Sequence, residues 1–207
     1  MTQPAIPSDL DLLRLVMAGD EDAFTQLYRR RQAGVYRFAL QMSGSEALAE
    51  DVTQEVFIVL IREAVRYDPN RGSVAAYLYG IARNHVLRRL EQDRPFVRLA
   101  ESDDEIDANA SSGTIAGDNP LEELTRNEMI DALRNSILGL PAHYREVVVL
   151  CDLHEMSYID AAKVVGCAVG TVRSRLHRAR ALLIEKMRAG RDRGQAADEV
   201  KRLRCFA

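Results

Sequence analysis

The stretch VGTVRSRLHRAR, Val169 to Arg180, decides the fold of the C-terminal half of this chain. At 100° per residue, Val172, Leu176 and Ala179, continued by Leu183, fall in one narrow sector, the apolar stripe of a helix that packs inward. Gly170, Thr171, Arg173, Ser174, His177, Arg178 and Ala181 occupy the opposite half-circle. Arginine matches guanine O6 and N7 bidentately, serine and threonine reach base or phosphate, and small residues let the helix approach closely. A basic helix face taken alone is equally a solvated surface, so the residues upstream carry the decision.

Ser157, with Asp160 three residues on, resembles a capping box that opens a short helix over Tyr158 to Val165. Gly166 then supplies a residue able to turn with positive φ before the basic helix begins. A short helix, a glycine turn and a second helix with a polar outer face make a helix-turn-helix, whose second helix enters the DNA groove.

The segment MSYIDAAKVVGCAVGTVRSRLHRARALL resembles the C-terminal DNA-binding domain of bacterial RNA polymerase sigma factors of the extracytoplasmic-function (ECF) group. Residues 50 to 90, EDVTQEVFIVLIREAVRYDPNRGSVAAYLYGIARNHVLRRL, resemble the second conserved sigma region. The expected architecture is all-α, two small helical domains joined by a flexible acidic linker. Residues 1–94 form the first domain, 95–119 the linker, 120–189 the helix-turn-helix domain and 190–207 an unassigned tail.

Composition agrees. The chain has 207 residues, enough for two small domains, and its 47% apolar content can supply both cores. No run approaches a membrane span and the N-terminus lacks a signal-peptide pattern, so a cytoplasmic protein with no membrane insertion is expected. Cys151, Cys167 and Cys205 are too scattered for a disulfide framework or a C-x-x-C zinc site, and Cys151 and Cys167 sit in apolar runs. The net charge of −3 conceals a polarity: Leu99 to Asp131 holds ten acids against Arg126 alone, whereas Val169 to Arg193 holds eight bases against Glu185 and Asp192. Local rather than average charge governs phosphate contact. Ser102, Ser111, Ser112, Gly113, Gly117 and Asn119-Pro120 give the acidic stretch a linker composition.

The first domain reads as bundle helices. Ser8 and Asp11 form a capping pair for a helix ending near Gly19, Asp20 caps the next, Ser45 precedes a long segment ending before Asp68-Pro69, and Ser73 starts a helix to about Arg94. In the family, the helix matching Asp51, Gln54, Glu55 and Phe57 docks on core RNA polymerase. Spacing puts Asp51, Gln54 and Glu55 on adjoining parts of one surface, with Val52, Val56 and Val59 able to pack inward. The stretch from Tyr67 to Arg89 resembles the part that captures the melted minus-10 element. Tyr67, Arg71, Asn84, Arg88 and Arg89 offer an aromatic face, an amide for a base edge, and positive charge to track a strand. Tyr77 and Tyr79 read as packing residues.

In the second domain, Arg173, Ser174, His177 and Arg178 are expected at or beside bases of the minus-35 element, with Thr171 and Arg175 on phosphates. The resemblance also implies promoter DNA and a cognate anti-sigma factor as partners. This sequence departs from the family where Tyr77 stands in place of a common Trp, and where Ala168 stands in place of Ser or Pro, leaving the recognition helix without a side-chain cap. The tail is expected to be disordered rather than to align Val200, Leu203 and Phe206 on one helical stripe.

No cofactor, metal or catalytic group is expected. His154-Glu155 begins like H-E-x-x-H, but Tyr158 takes the place of the second histidine. No phosphate loop and no G-x-S-x-G elbow is present. The alternative is a stand-alone helix-turn-helix regulator that binds operators without polymerase. Residues 50 to 90 favour the sigma reading, because such a regulator has no need of them.

Overall fold

Short polar residues set where the helices begin. In the computed structural model, which describes residues 6–92 and 120–204, with side chains over 6–92 and 128–188, α1 spans Asp9–Met17. Ser8 caps it, its hydroxyl accepting from the Asp11 N–H while the Asp11 carboxylate accepts from the Ser8 N–H at 3.1 Å. Asp20 caps α2 (Glu21–Ser43) and Ser45 caps α3 (Glu46–Glu63) in the N-cap manner. Tight 3₁₀ turns at Ala64–Arg66 and Pro69–Arg71 lead to α4 (Val74–Gln92), where the Ser73 hydroxyl accepts from the Ala76 N–H at 3.2 Å.

The second unit comprises α5 (Pro120–Leu138), α6 (Ala142–Val148), a π-helical turn at Val149–Leu153, α7 (Tyr158–Val165) and α8 (Val169–Arg204). Among the described residues there is no strand, in keeping with the all-α expectation. The tail differs from expectation, because α8 continues unbroken to Arg204. Gly190 and Gly194 each cost a helix about 1 kcal/mol, but the surrounding Arg, Gln, Ala, Glu and Lys are good helix formers and no Pro intervenes. The whole linker, residues 95–119, and Cys205 lie outside the described residues.

In the first unit α2 is the hub, packed against α1, α3 and α4. Leu27, Val35, Phe38 and Met42 on α2 are buried with Leu12, Leu13, Val56, Leu60, Leu78 and Val86. Each large apolar side chain so buried stabilises the fold by about 1.5–3 kcal/mol. Phe57 is also buried, its ring edge-on to Tyr28 at 4.7 Å and to Phe24 at 6.3 Å. Phe57, expected on the polymerase-docking surface, thus packs on the helix side it shares with Thr53, Val56 and Leu60 and not on the exposed side with Asp51, Gln54 and Glu55. In the second unit Val172, Leu176, Ala179 and Leu183 are all buried, so the stripe read from the sequence is the face α8 turns to α5, α6 and α7.

The two units pack against each other, α4 on α7 and α2 on α5. Arg145 of α6 donates to the Met42 carbonyl at 2.5 Å and to the carbonyls of Leu138 and Leu140, placing a cation at the carboxyl ends of both α2 and α5. His154 bridges the units. Its Nε2 lies 2.9 Å from Gln41 Oε1, an atom that only accepts, so Nε2 carries the proton and Nδ1 accepts from the Tyr79 hydroxyl at 2.9 Å. Phe38 and Tyr79 stand edge-on or tilted around the imidazole.

Burial, aided by the charge of Arg37, lowers the His154 pKa to about 4, against 6.5 for the free side chain. The packed arrangement therefore prefers neutral histidine. Its stabilising contribution is complete above about pH 6.5 and is lost as pH falls toward 4. The unfolding midpoint of His154→Gln, followed by circular dichroism from pH 7 to pH 4.5, should fall less steeply than that of the parent chain; parallel profiles would contradict this.

Candidate nucleic-acid and polymerase interfaces

The helix-turn-helix is built locally. The Ser157 hydroxyl accepts from the Asp160 N–H at 3.1 Å and donates to the Asp160 carboxylate at 3.0 Å, fixing the start of α7. Gly166 ends α7 at φ 77° and ψ 36°, the left-handed region where an added Cβ is disfavoured, and its N–H donates to the Ala162 carbonyl at 2.9 Å. Ala168 then starts α8 with its backbone alone, its carbonyl accepting from Val172 N–H at 3.1 Å.

Along α8 from Gly170 to Arg180 the exposed side chains are Arg173, Ser174, His177, Arg178 and Arg180, with Gly170 open beside them. The Arg173 guanidinium lies 5.8 Å from the Tyr158 ring centroid, so a cation–π contact directs it toward α7. Thr171 is half-buried, and its carbonyl accepts from the Ser174 hydroxyl at 3.0 Å. Arg180 is held by the Asp152 carboxylate through Nε at 3.0 Å and Nη2 at 2.5 Å. Arg175, expected on phosphate, instead lies 3.3 Å from Glu146, a buried carboxylate that also receives Arg83 Nε at 2.7 Å. The four exposed residues expected near bases thus share one surface, while Arg175 turns to the side of α8.

In the first unit the turns after α3 and the outer side of α4 enclose a cleft of about 510 Å³. Tyr67, Arg71 and Asn84 line it together with Arg66 and Tyr77, whereas Arg88 and Arg89 are exposed farther along α4. Two interactions shape its wall. The Tyr67 hydroxyl donates to the Gly72 carbonyl at 2.9 Å, and the Tyr67 ring meets Tyr77 edge-on at 5.5 Å. Burial, together with the nearby Asp68 carboxylate, pushes the Tyr67 phenol above its ordinary pKa, so it remains a neutral donor. The other side of the cleft is formed by Lys163 and Val164 of α7.

On α3, Asp51, Gln54 and Glu55 are exposed and point the same way, while Val52 and Val56 are buried. This is the division the spacing predicts, except that Val59, also expected inward, is only half-buried. Among the residues joining the units that sequence reasoning missed are Gln41, Arg83, Arg145, Glu146 and Lys163, and His154 in that role. Glu146 carried a signal, an acid on the threshold of the apolar run Val147 to Leu150, but nothing local named its partners.

The family descriptions Sigma-70 region 2 and Sigma-70, region 4 match residues 27–95 and 130–183. The ECF RNA polymerase sigma factor SigW of Bacillus subtilis is 30% identical over 178 residues, spanning 85% of this chain and 95% of SigW. SigM of Mycobacterium tuberculosis is 32% identical over 180 residues, 85% of this chain and 83% of SigM. Among solved structures, CnrH in complex with the cytosolic domain of CnrY superposes with a TM-score of 0.66 at 25% identity, covering 88% of this chain and 99% of CnrH. The sigma factor RpoE in complex with the anti-sigma factor NepR from Bartonella quintana gives 0.61 at 25% identity, over 80% and 96%. With the region 2 match in place, the reading as a stand-alone regulator loses its ground. The chain belongs to the ECF RNA polymerase sigma factors and serves promoter recognition in transcription initiation.

Proposed function

We propose a bipartite division of promoter reading between the two units. α8 enters the major groove of the minus-35 element and reads it with Arg173, Ser174, His177 and Arg178, while Thr171 approaches the backbone. The cleft of Tyr67, Arg71 and Asn84 receives an extruded base of the melted minus-10 element, and Arg88 and Arg89 follow the strand. Core RNA polymerase docks on Asp51, Gln54 and Glu55. The observation that carries this reading is the joint exposure of Arg173, Ser174, His177 and Arg178 along α8, opposite a fully buried stripe. Arg175 supports α8 from the side through Glu146 and adds positive charge near the phosphates.

The protein works without catalysis of its own, in the cytoplasm where its polymerase and promoter are. Among the described residues no helix is long and apolar enough to cross a membrane and no group of side chains is suited to hold a metal. Control by an anti-sigma factor is supported by the likeness to RpoE, solved with NepR.

Two experiments test these assignments. Arg178→Ala should lower discrimination at one or two minus-35 positions by about 1–3 kcal/mol, whereas Arg175→Ala should weaken binding evenly across sequences. Binding of reconstituted holoenzyme across a library of minus-35 duplexes separates the two, and equal losses on cognate and scrambled DNA for both variants would refute the division. The double variant Gln54→Ala/Glu55→Arg should bind core polymerase at least tenfold more weakly in a fluorescence titration while keeping its helical content. Unchanged affinity would remove α3 from the docking surface.

A further inference from the structure

The Glu146 side chain is 3% exposed, and its two carboxylate oxygens are taken by arginines from different units. Oε2 accepts from Arg83 of α4 at 2.7 Å, and Oε1 faces Arg175 of α8 at 3.3 Å. Arg83 adjoins Asn84 on the helix that forms the strand-capturing cleft, and Arg175 lies within the duplex-reading helix. One carboxylate therefore joins the two DNA-reading helices. The interface around it is closely fitted. Gly44, at φ 74°, is met by Leu138 so tightly that a Cβ there would lie 2.9 Å from Leu138 Cδ1, and Lys163 and Val164 stand across the mouth of the cleft.

This arrangement cannot read a whole promoter. Elements named minus-35 and minus-10 lie about 25 base pairs apart, roughly 85 Å of duplex at 3.4 Å per pair. Two helices sharing a carboxylate cannot reach both. We propose that Glu146 is an interdomain latch that holds the free protein closed, pairing one arginine from each reading helix until polymerase separates the units. The functional consequence rests on the promoter-reading assignment above; the closure itself does not. A buried carboxylate with two cations suits a latch because it is conditional: once one partner leaves, the remaining buried charges are poorly compensated and the contact gives way as a whole. Polymerase binding then carries the opening step, so a fraction of its affinity is withheld while the latch is shut.

The test uses the full chain. In Glu146→Gln, and independently in Arg83→Gln, small-angle scattering of the free protein should show a larger radius of gyration with helical content unchanged, and the double variant should expand no further than the larger single. Apparent affinity for core polymerase should rise, by about tenfold if the closed form outnumbers the open one ten to one. Asp152→Asn, which breaks the ion pair to Arg180 within the second unit, should leave the radius unchanged. If Glu146→Gln loses helix, Arg83→Gln decides. Folded variants whose radius and core affinity equal those of the parent overturn the latch. In vitro transcription of a random promoter library separates the two failures. A parent chain that initiates, with unchanged radii in the variants, sinks the latch alone; expanded variants with a parent that initiates nowhere sink the promoter assignment and leave the latch standing.

Discussion

A carboxylate removed from water needs cations or donors on all sides, and the arrangement of this protein is organised around where Glu146 finds them. Its partners come from α4 and α8, so satisfying one acid ties together two helices that belong to separate units. The neighbouring contacts follow from that placement. Arg145, one residue earlier on α6, reaches the carbonyl ends of α2 and α5, and His154 finds Tyr79 and Gln41 across the seam. The seam is thus polar at its points of attachment and apolar between them, which favours a definite register over loose association.

The features that the sequence announces are those decided within a turn or two of chain. Ser8, Asp20, Ser45, Ser73 and Ser157 each cap the helix they precede, and Gly166 takes the left-handed turn of the helix-turn-helix. The buried stripe of α8 and the exposed acids of α3 follow from helical spacing alone. What the sequence does not announce depends on residues far apart. Phe57 borders exposed Gln54, three residues earlier, and Phe24 and Tyr28 across the bundle enclose its ring on the side of Thr53, Val56 and Leu60. Arg175 reads like its neighbours on a basic helix, yet a single acid 29 positions away turns it aside. The same spacing cannot say that His154, beside an apparent metal-binding fragment, serves to join two units.

Charge tells the same story at two scales. The chain is weakly acidic overall, but α8 from Val169 to Arg188 carries Arg173, Arg175, Arg178, Arg180, Lys186 and Arg188 against Glu185 alone. Not all of them are equivalent. Arg180 and Arg175 are committed to acids of the second unit's own scaffold, Arg173 leans on an aromatic ring, and Arg178 remains exposed. A count of basic residues would treat these as four similar contacts, whereas their partners give them different freedom to move toward a nucleic acid.

The length of α8 has a mechanical meaning. Its 36 residues make a rod of about 54 Å, because an α-helix rises 1.5 Å per residue. Arg173, Ser174, His177 and Arg178 lie in its first third, and no break separates them from the remainder. The distal two thirds therefore continue the same helical shaft, so the first third is the near end of one long element and not a short free-standing helix.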